Sequence, residues 1–195
     1  MDFTQIKQSL LKLVEDREFT FKDTDSEVAD KYLENLKIFK GIADSEILKL
    51  EQQCHGRFSR SFRKYLKELG LNCGRLFTVS TRCPADKTQE EIKEQAQELI
   101  DSNDLNYTLE STDFVFLCDD GFSFTFIKAR GEIDTKVYYF EEGETEIEIL
   151  GNTFEEFLEM KLNTLEQFVE NVKNNGGCHL TVDPDGSVTM DFSKG

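Results

Sequence analysis

A chain of 195 residues can bury a sizeable core without help from disulfides or metals. Hydrophobic residues make up 38% and aromatics 11% (17 Phe, 5 Tyr, no Trp), which excludes an intrinsically disordered chain. The net charge of −16 repels phosphate backbones and anionic lipid, and no apolar run approaches the roughly 20 residues that span a bilayer, so direct nucleic-acid and membrane partners are not expected.

Asp2 is the expected N-cap of a helix from Phe3 to Glu15, where Phe3, Ile6, Leu10, Leu13 and Val14 recur at helical spacing. The opening Met1-Asp2-Phe3-Thr4-Gln5-Ile6 has no basic stretch leading into an apolar one, so no export signal is read and a cytoplasmic location is expected. Phe19 and Phe21 alternate, as in a short strand or an extended connector. A second helix is expected over Ser26–Phe39, with Val28, Tyr32, Leu36 and Phe39 on one face and Gly41 at its end. Asp44 or Ser45 then caps a short helix with Ile47, Leu48 and Leu50, and a further helix over Ser59–Leu69 buries Phe62, Tyr65, Leu66 and Leu69 before Gly70.

Asn72-Cys73-Gly74 reads as a turn, Leu76–Ser80 as a strand, and Thr88–Ser102 as an acidic helix with Ile92, Ala96 and Leu99 inward. From Asp113 the period changes to that of a sheet. Strands are expected at Phe114–Cys118, Phe122–Ile127, Lys136–Phe140 and Thr145–Leu150, with Asp119-Asp120-Gly121 and Glu141-Glu142-Gly143-Glu144 as tight connections. In the fourth strand Ile147 and Ile149 alternate with Glu146 and Glu148, which predicts one wet face. Asn152 or Thr153 caps a helix carrying Phe154, Phe157, Leu158 and Met160. A separate helix is expected over Thr164–Asn174, and Asp183-Pro184-Asp185-Gly186 joins two terminal strands.

The charge is unevenly placed. Residues 1–70 carry 13 basic and 13 acidic side chains, whereas residues 90–159 carry 4 basic against 20 acidic. Excess acid of this kind can serve solubility alone, or it can steer a basic protein partner. Little in the sequence speaks for catalysis: G-x-S-x-G, a Walker loop, G-x-G-x-x-G and H-E-x-x-H are all missing. The five cysteines (Cys54, Cys73, Cys83, Cys118, Cys178) form an odd, scattered set that reads as reduced thiols. Cys54-His55 and Cys178-His179 place potential ligands side by side, but neighbours on a strand point to opposite faces, so no metal or cofactor is expected.

Four segments carry a resemblance: Asp44–Gln53 with Ile47, Leu50 and Glu51; Phe58-Ser59 leading to Phe62, Tyr65 and Leu66; Asn72-Cys73-Gly74; and Thr153-Phe154-Glu155-Glu156-Phe157-Leu158. In this order, with a strand meander before the last, the chain resembles the SMI1/KNR4-like (SUKH) superfamily. It departs from the family pattern in having no proline at the start of the second segment and a cysteine inside the glycine turn. The resemblance implies an α+β fold, a twisted and mainly antiparallel sheet with helices packed on one face. The length fits a single domain over 1–195; the resemblance covers a core at 41–162 and leaves outside it a helical extension at 1–40 and a C-terminal helix and β-hairpin at 163–195.

The resemblance also implies a protein-binding immunity protein, not an enzyme, that neutralises a cognate toxin by stoichiometric binding, and the acidity of the chain points to a toxin of nuclease type. Joined to the charge distribution, it makes the expected partner basic and the candidate contact residues Asp119, Asp120, Glu132, Asp134, Glu141, Glu142, Glu144, Glu146 and Glu148. The alternative is a regulatory or scaffold interaction domain without a toxin partner.

Overall fold

A computed structural model describes residues 2–77, 88–119, 121–185 and 187–192. In chain order the elements are α1 (Phe3–Glu15), β1 (Phe19–Phe21), α2 (Ser26–Leu36), β2 (Phe39–Lys40), α3 (Asp44–Gln53), α4 (Arg60–Leu69), β3 (Asn72–Cys73), α5 (Gln89–Ser102), β4 (Asp113–Asp119), β5 (Ser123–Lys128), β6 (Val137–Glu141), β7 (Glu148–Gly151), α6 (Phe154–Asn174), β8 (Cys178–Val182) and β9 (Val188–Asp191). The α+β class with mainly antiparallel pairing is as the sequence predicts. The chain divides into two compact units, one formed by residues 1–39, 72–76 and 160–195 and the other by 40–71 and 77–159.

In the first unit, β1 pairs in parallel with β8, which pairs antiparallel with β9. Val14, Phe19, Leu36, Val172, Cys178 and Leu180 form its core. Arg75 is buried there, donating to the Glu18 carboxylate and to the Leu13 carbonyl, with its guanidinium 5.5 Å from the Phe19 ring centre. The second helix is shorter than predicted, ending at Leu36. Phe39, expected on its apolar stripe, lies instead against Gly74, whose φ of +60° and missing Cβ leave room for the ring.

In the second unit, β4-β5-β6-β7 form an antiparallel meander. One face carries Val115, Phe124, Phe126 and Phe140, packed on Ile92, Ala96, Leu99 and Ile100 of α5. Phe114, next to Val115, points the other way. Its ring lies 4.7 Å from Phe58 and 5.9 Å from Phe62, and Phe116 lies 5.9 Å from Phe154. The expectation of a wet face is therefore corrected at β4, an edge strand of the meander: Val115 packs on α5, while Phe114 and Phe116 on the other side meet Phe62 of α4 and Phe154 of α6. The alternation read in Thr145–Leu150 applies only to an edge, where β7 begins at Glu148, Ile147 is partly buried and Ile149 is 50% exposed.

The two helices predicted after Asn152 are one 21-residue helix, α6, whose residues 154–159 belong to the second unit and the rest to the first. Thr164, taken as a new start, continues it by donating its hydroxyl to the Met160 carbonyl at 2.9 Å, and no Gly or Pro interrupts the run. Of the strand expected at Leu76–Ser80, Leu76 lies in a turn and the part from Thr78 on is outside the described residues.

Candidate partner-binding surface

Antiparallel strands send their connections alternately to opposite ends of a sheet. At one end of β4–β7 lie the β4–β5 and β6–β7 turns; at the other lies the β5–β6 connection. The register puts Asp119 opposite Ser123, Ser123 opposite Glu141, and Tyr139 opposite Glu148, so these side chains share a face. The Tyr139 hydroxyl donates to the Glu141 carboxylate at 2.8 Å. Burial, more than the nearby Glu141 and Asp119 carboxylates, holds its phenol above the ordinary value, while Ser123 acts the other way. The two turns are tied together by the Glu142 amide, which donates to the Phe122 carbonyl at 2.8 Å. Asp119, Glu141, Glu142, Glu144, Glu146 and Glu148 are all exposed at this end.

Three further residues, which the sequence reading missed, join this end. The Gly143 amide donates to the Asn103 side chain at 2.8 Å, so the C-terminus of α5 stands beside the β6–β7 turn and brings Asp101 and Asp104 with it, both exposed. Acidic residues at a helix C-terminus oppose the helix dipole, and the last turn of α5 has no basic residue, a signal readable in Asp101-Ser102-Asn103-Asp104. Phe122 is 59% exposed at the β4–β5 tip, an apolar contact within the acidic rim. An aromatic directly after a glycine turn was its only trace in the sequence.

The remaining sequence-predicted residues lie elsewhere. Asp120 is outside the described residues. Glu132 and Asp134 belong to the β5–β6 connection, at the opposite end of the sheet. Glu132 is exposed and its carbonyl accepts from the Arg60 amide. Asp134 is half-buried, and its Oδ1 accepts from the Ser61 hydroxyl, from the Thr135 amide at 2.8 Å and from the Phe154 amide at 3.0 Å. That carboxylate closes the start of α6, where Thr153 also accepts from the Glu156 amide at 3.1 Å.

The cysteine–histidine pairs diverge. Cys54 and Cys178 are buried while His55 is exposed, and the His179 Nδ1 lies 2.8 Å from the Thr20 hydroxyl. Burial pushes the Cys54 and Cys178 thiols up, away from the reactive thiolate. Among the described residues no group of three His, Cys, Asp or Glu side chains is placed to hold a metal ion, and no helix is long and apolar enough to cross a membrane. Cys83 lies outside the described residues.

Residues 44–158, more than half of the chain, match the model of the family described as SMI1-KNR4 cell-wall. The chain belongs to the SMI1-KNR4 family. No curated protein and no solved structure matches it. The SMI1-KNR4 match runs from the start of α3 into the first turns of α6, so it contains the whole meander and both ends of the sheet. Membership of this family is consistent with an immunity-protein role.

Proposed function

We propose that this SMI1-KNR4 protein is an immunity protein that neutralises a cognate, basic and nuclease-type toxin by stoichiometric binding, using the acidic end of the meander and no chemistry of its own. The observation that carries this reading is the gathering at one end of the sheet of Asp119, Glu141, Glu142, Glu144, Glu146 and Glu148 around the exposed Phe122. Enzymes that cut nucleic acid carry basic surfaces for the phosphates, and an acidic rim with an aromatic centre is complementary to such a surface. In this reading the partner is a protein, with neither nucleic acid nor membrane bound directly, and the complex forms in the cytoplasm. Residues 41–162 carry the function, and 1–40 and 163–195 are extensions of it.

The test is co-expression with the C-terminal toxic domain encoded by the neighbouring gene, followed by pull-down and stopped-flow association. Association should slow by about tenfold or more as salt rises from low to high concentration, as expected of a steered encounter. The double variant Glu146→Lys/Glu148→Lys should fold and lose most of its protection of cells. A folded double variant that still protects, or an on-rate indifferent to salt, would rule out this surface. Stable capture of a non-toxic cellular partner in place of the toxin would favour a regulatory scaffold.

A further inference from the structure

The other end of the sheet contains an arrangement that folding alone does not favour. Arg57 and Arg130 face each other in an isolated parallel β-bridge, closed by the Arg57 amide donating to the Ala129 carbonyl at 2.9 Å and the Gly131 amide donating to the Arg57 carbonyl at 2.6 Å. Paired residues on adjacent extended segments project to the same side, and like charges there repel. Glu110 takes up Arg130 at 3.0 Å. Arg57 is exposed, and among the described residues no carboxylate forms an ion pair with its guanidinium within 4.0 Å. For a chain of net charge −16, with acid to spare, a facing arginine pair with one member uncompensated is a departure from the rest of the surface.

The two arginines border an open groove of about 840 Å³, lined also by Leu48, Gln52, His55 and Thr112. Among the described residues its one lining carboxylate, Glu51, is already engaged, accepting from Arg63 at 2.9 Å and from the Phe58 amide at 2.8 Å. His55 sits at a φ of +49°, a conformation that costs a non-glycine residue energy. The next residue, Gly56, is pressed on the strand end so closely that a Cβ would fall 2.2 Å from the Ala129 carbonyl oxygen. Among the described residues the buried Thr112 hydroxyl has no hydrogen-bond partner, and Leu48 is 51% exposed. Cations, neutral donors and an apolar side chain therefore line one open channel.

We propose that this groove docks an acidic, extended segment of a partner protein, whose carboxylates bridge Arg57 and Arg130 while its apolar side chains lie on Leu48. A channel of this volume is within the range of ligand sites and larger than a single oxyanion needs. The net charge of the chain disfavours a long polyanion, whereas a short acidic peptide reaches the paired arginines without spanning the carboxylate-rich turns at the far end of the sheet. Arginine pairs with carboxylates in bidentate fashion, which supplies orientation as well as attraction. This site is at the opposite end of the sheet from the acidic rim and stands or falls independently of it.

The experiment is fluorescence anisotropy on the full chain with a labelled hexapeptide of alternating Glu and Val, beside its Gln and Val counterpart. The Glu peptide should bind and the Gln peptide should not. Affinity should fall about tenfold or more in Arg57→Glu and severalfold in Arg57→Lys, which keeps the charge but not the fork, and should be unchanged in Lys31→Glu, an exposed position of α2. Circular dichroism checks that each variant folds; if Arg57→Glu does not, Arg57→Lys carries the test. Absence of binding, equal loss in Lys31→Glu, undiminished binding in Arg57→Lys, or full displacement of the peptide by an equal concentration of inorganic phosphate would each overturn the proposal.

Discussion

At the scale of single residues, two aspartates in the acidic segment have settled environments of their own. Asp134 reads in sequence like any exposed acid in a loop, yet its Oδ1 is the acceptor for Ser61, Thr135 and Phe154. Nothing in the sequence near position 134 reveals this, because the groups it satisfies come from positions 61 and 154. Asp134→Ala should cost about 1–3 kcal/mol in urea unfolding, the range for losing a helix cap together with other acceptors. Asp113 is fully buried, with Oδ2 accepting from the Glu110 amide at 3.0 Å and Lys128 Nζ 3.9 Å from Oδ1. Burial holds its carboxyl above the ordinary range, with the Glu110 amide and then Lys128 pulling the other way. A carboxyl raised on folding stabilises in its protonated form: that contribution is complete below the ordinary aspartate value and is lost as pH rises through the raised one. Urea midpoints across this window should therefore contain a component that falls with pH in the wild type and is missing in Asp113→Asn; superimposable profiles would show that Asp113 is not its source.

At the scale of elements, helix starts were the most legible features because capping is local. Asp2, Ser59 and Thr88 each accept from a backbone amide two or three residues on, at 2.9, 3.2 and 3.3 Å, as their residue types predict. The exception is α3, where neither Asp44 nor Ser45 is the cap: the helix starts from Ala43, which has no side-chain acceptor, and Asp44 is its first residue. Helix ends were less legible. Gly41 was read as the stop of α2, but its smallness serves a close approach instead: a Cβ there would lie 1.7 Å from the Lys67 carbonyl oxygen. Such a requirement is set by a segment 26 positions away and leaves no local pattern. Gly41→Ala should lower stability by at least about 2 kcal/mol, measurable as a fall in thermal midpoint. In the sheet, hydrophobic runs located β4 and β5, but an apolar run does not say which helix covers which side, so the double coverage emerged only from the packing.

At the scale of the whole molecule, the concentration of acid between residues 90 and 159 was visible by counting, and the alternation of turns along a meander separates it into two groups. Asp119, Glu141 and Glu148 fall at one end, Glu132 and Asp134 at the other. Counting could not make that division, since it treats charges as points along a line. Charge reversal at the first group should therefore affect association with a basic partner far more than reversal at Glu132. In stopped-flow measurements Glu141→Lys/Glu142→Lys should slow association by about tenfold or more, and Glu132→Lys by less than about twofold. Equal effects would mean that net charge alone governs the encounter.

The second unit also has a polarity that the total of −16 conceals. Its carboxylate-rich tips and its exposed arginines, Arg57, Arg60 and Arg130, stand at opposite ends of strands of about six residues, or roughly 20 Å. Such a separation is an electric dipole along the strand direction. Within the roughly 8–10 Å over which salt leaves fields unscreened, a charged surface exerts a torque on it as well as a pull. A cationic partner would thus turn the acidic tips towards itself before contact and leave the arginine end facing outward into solvent.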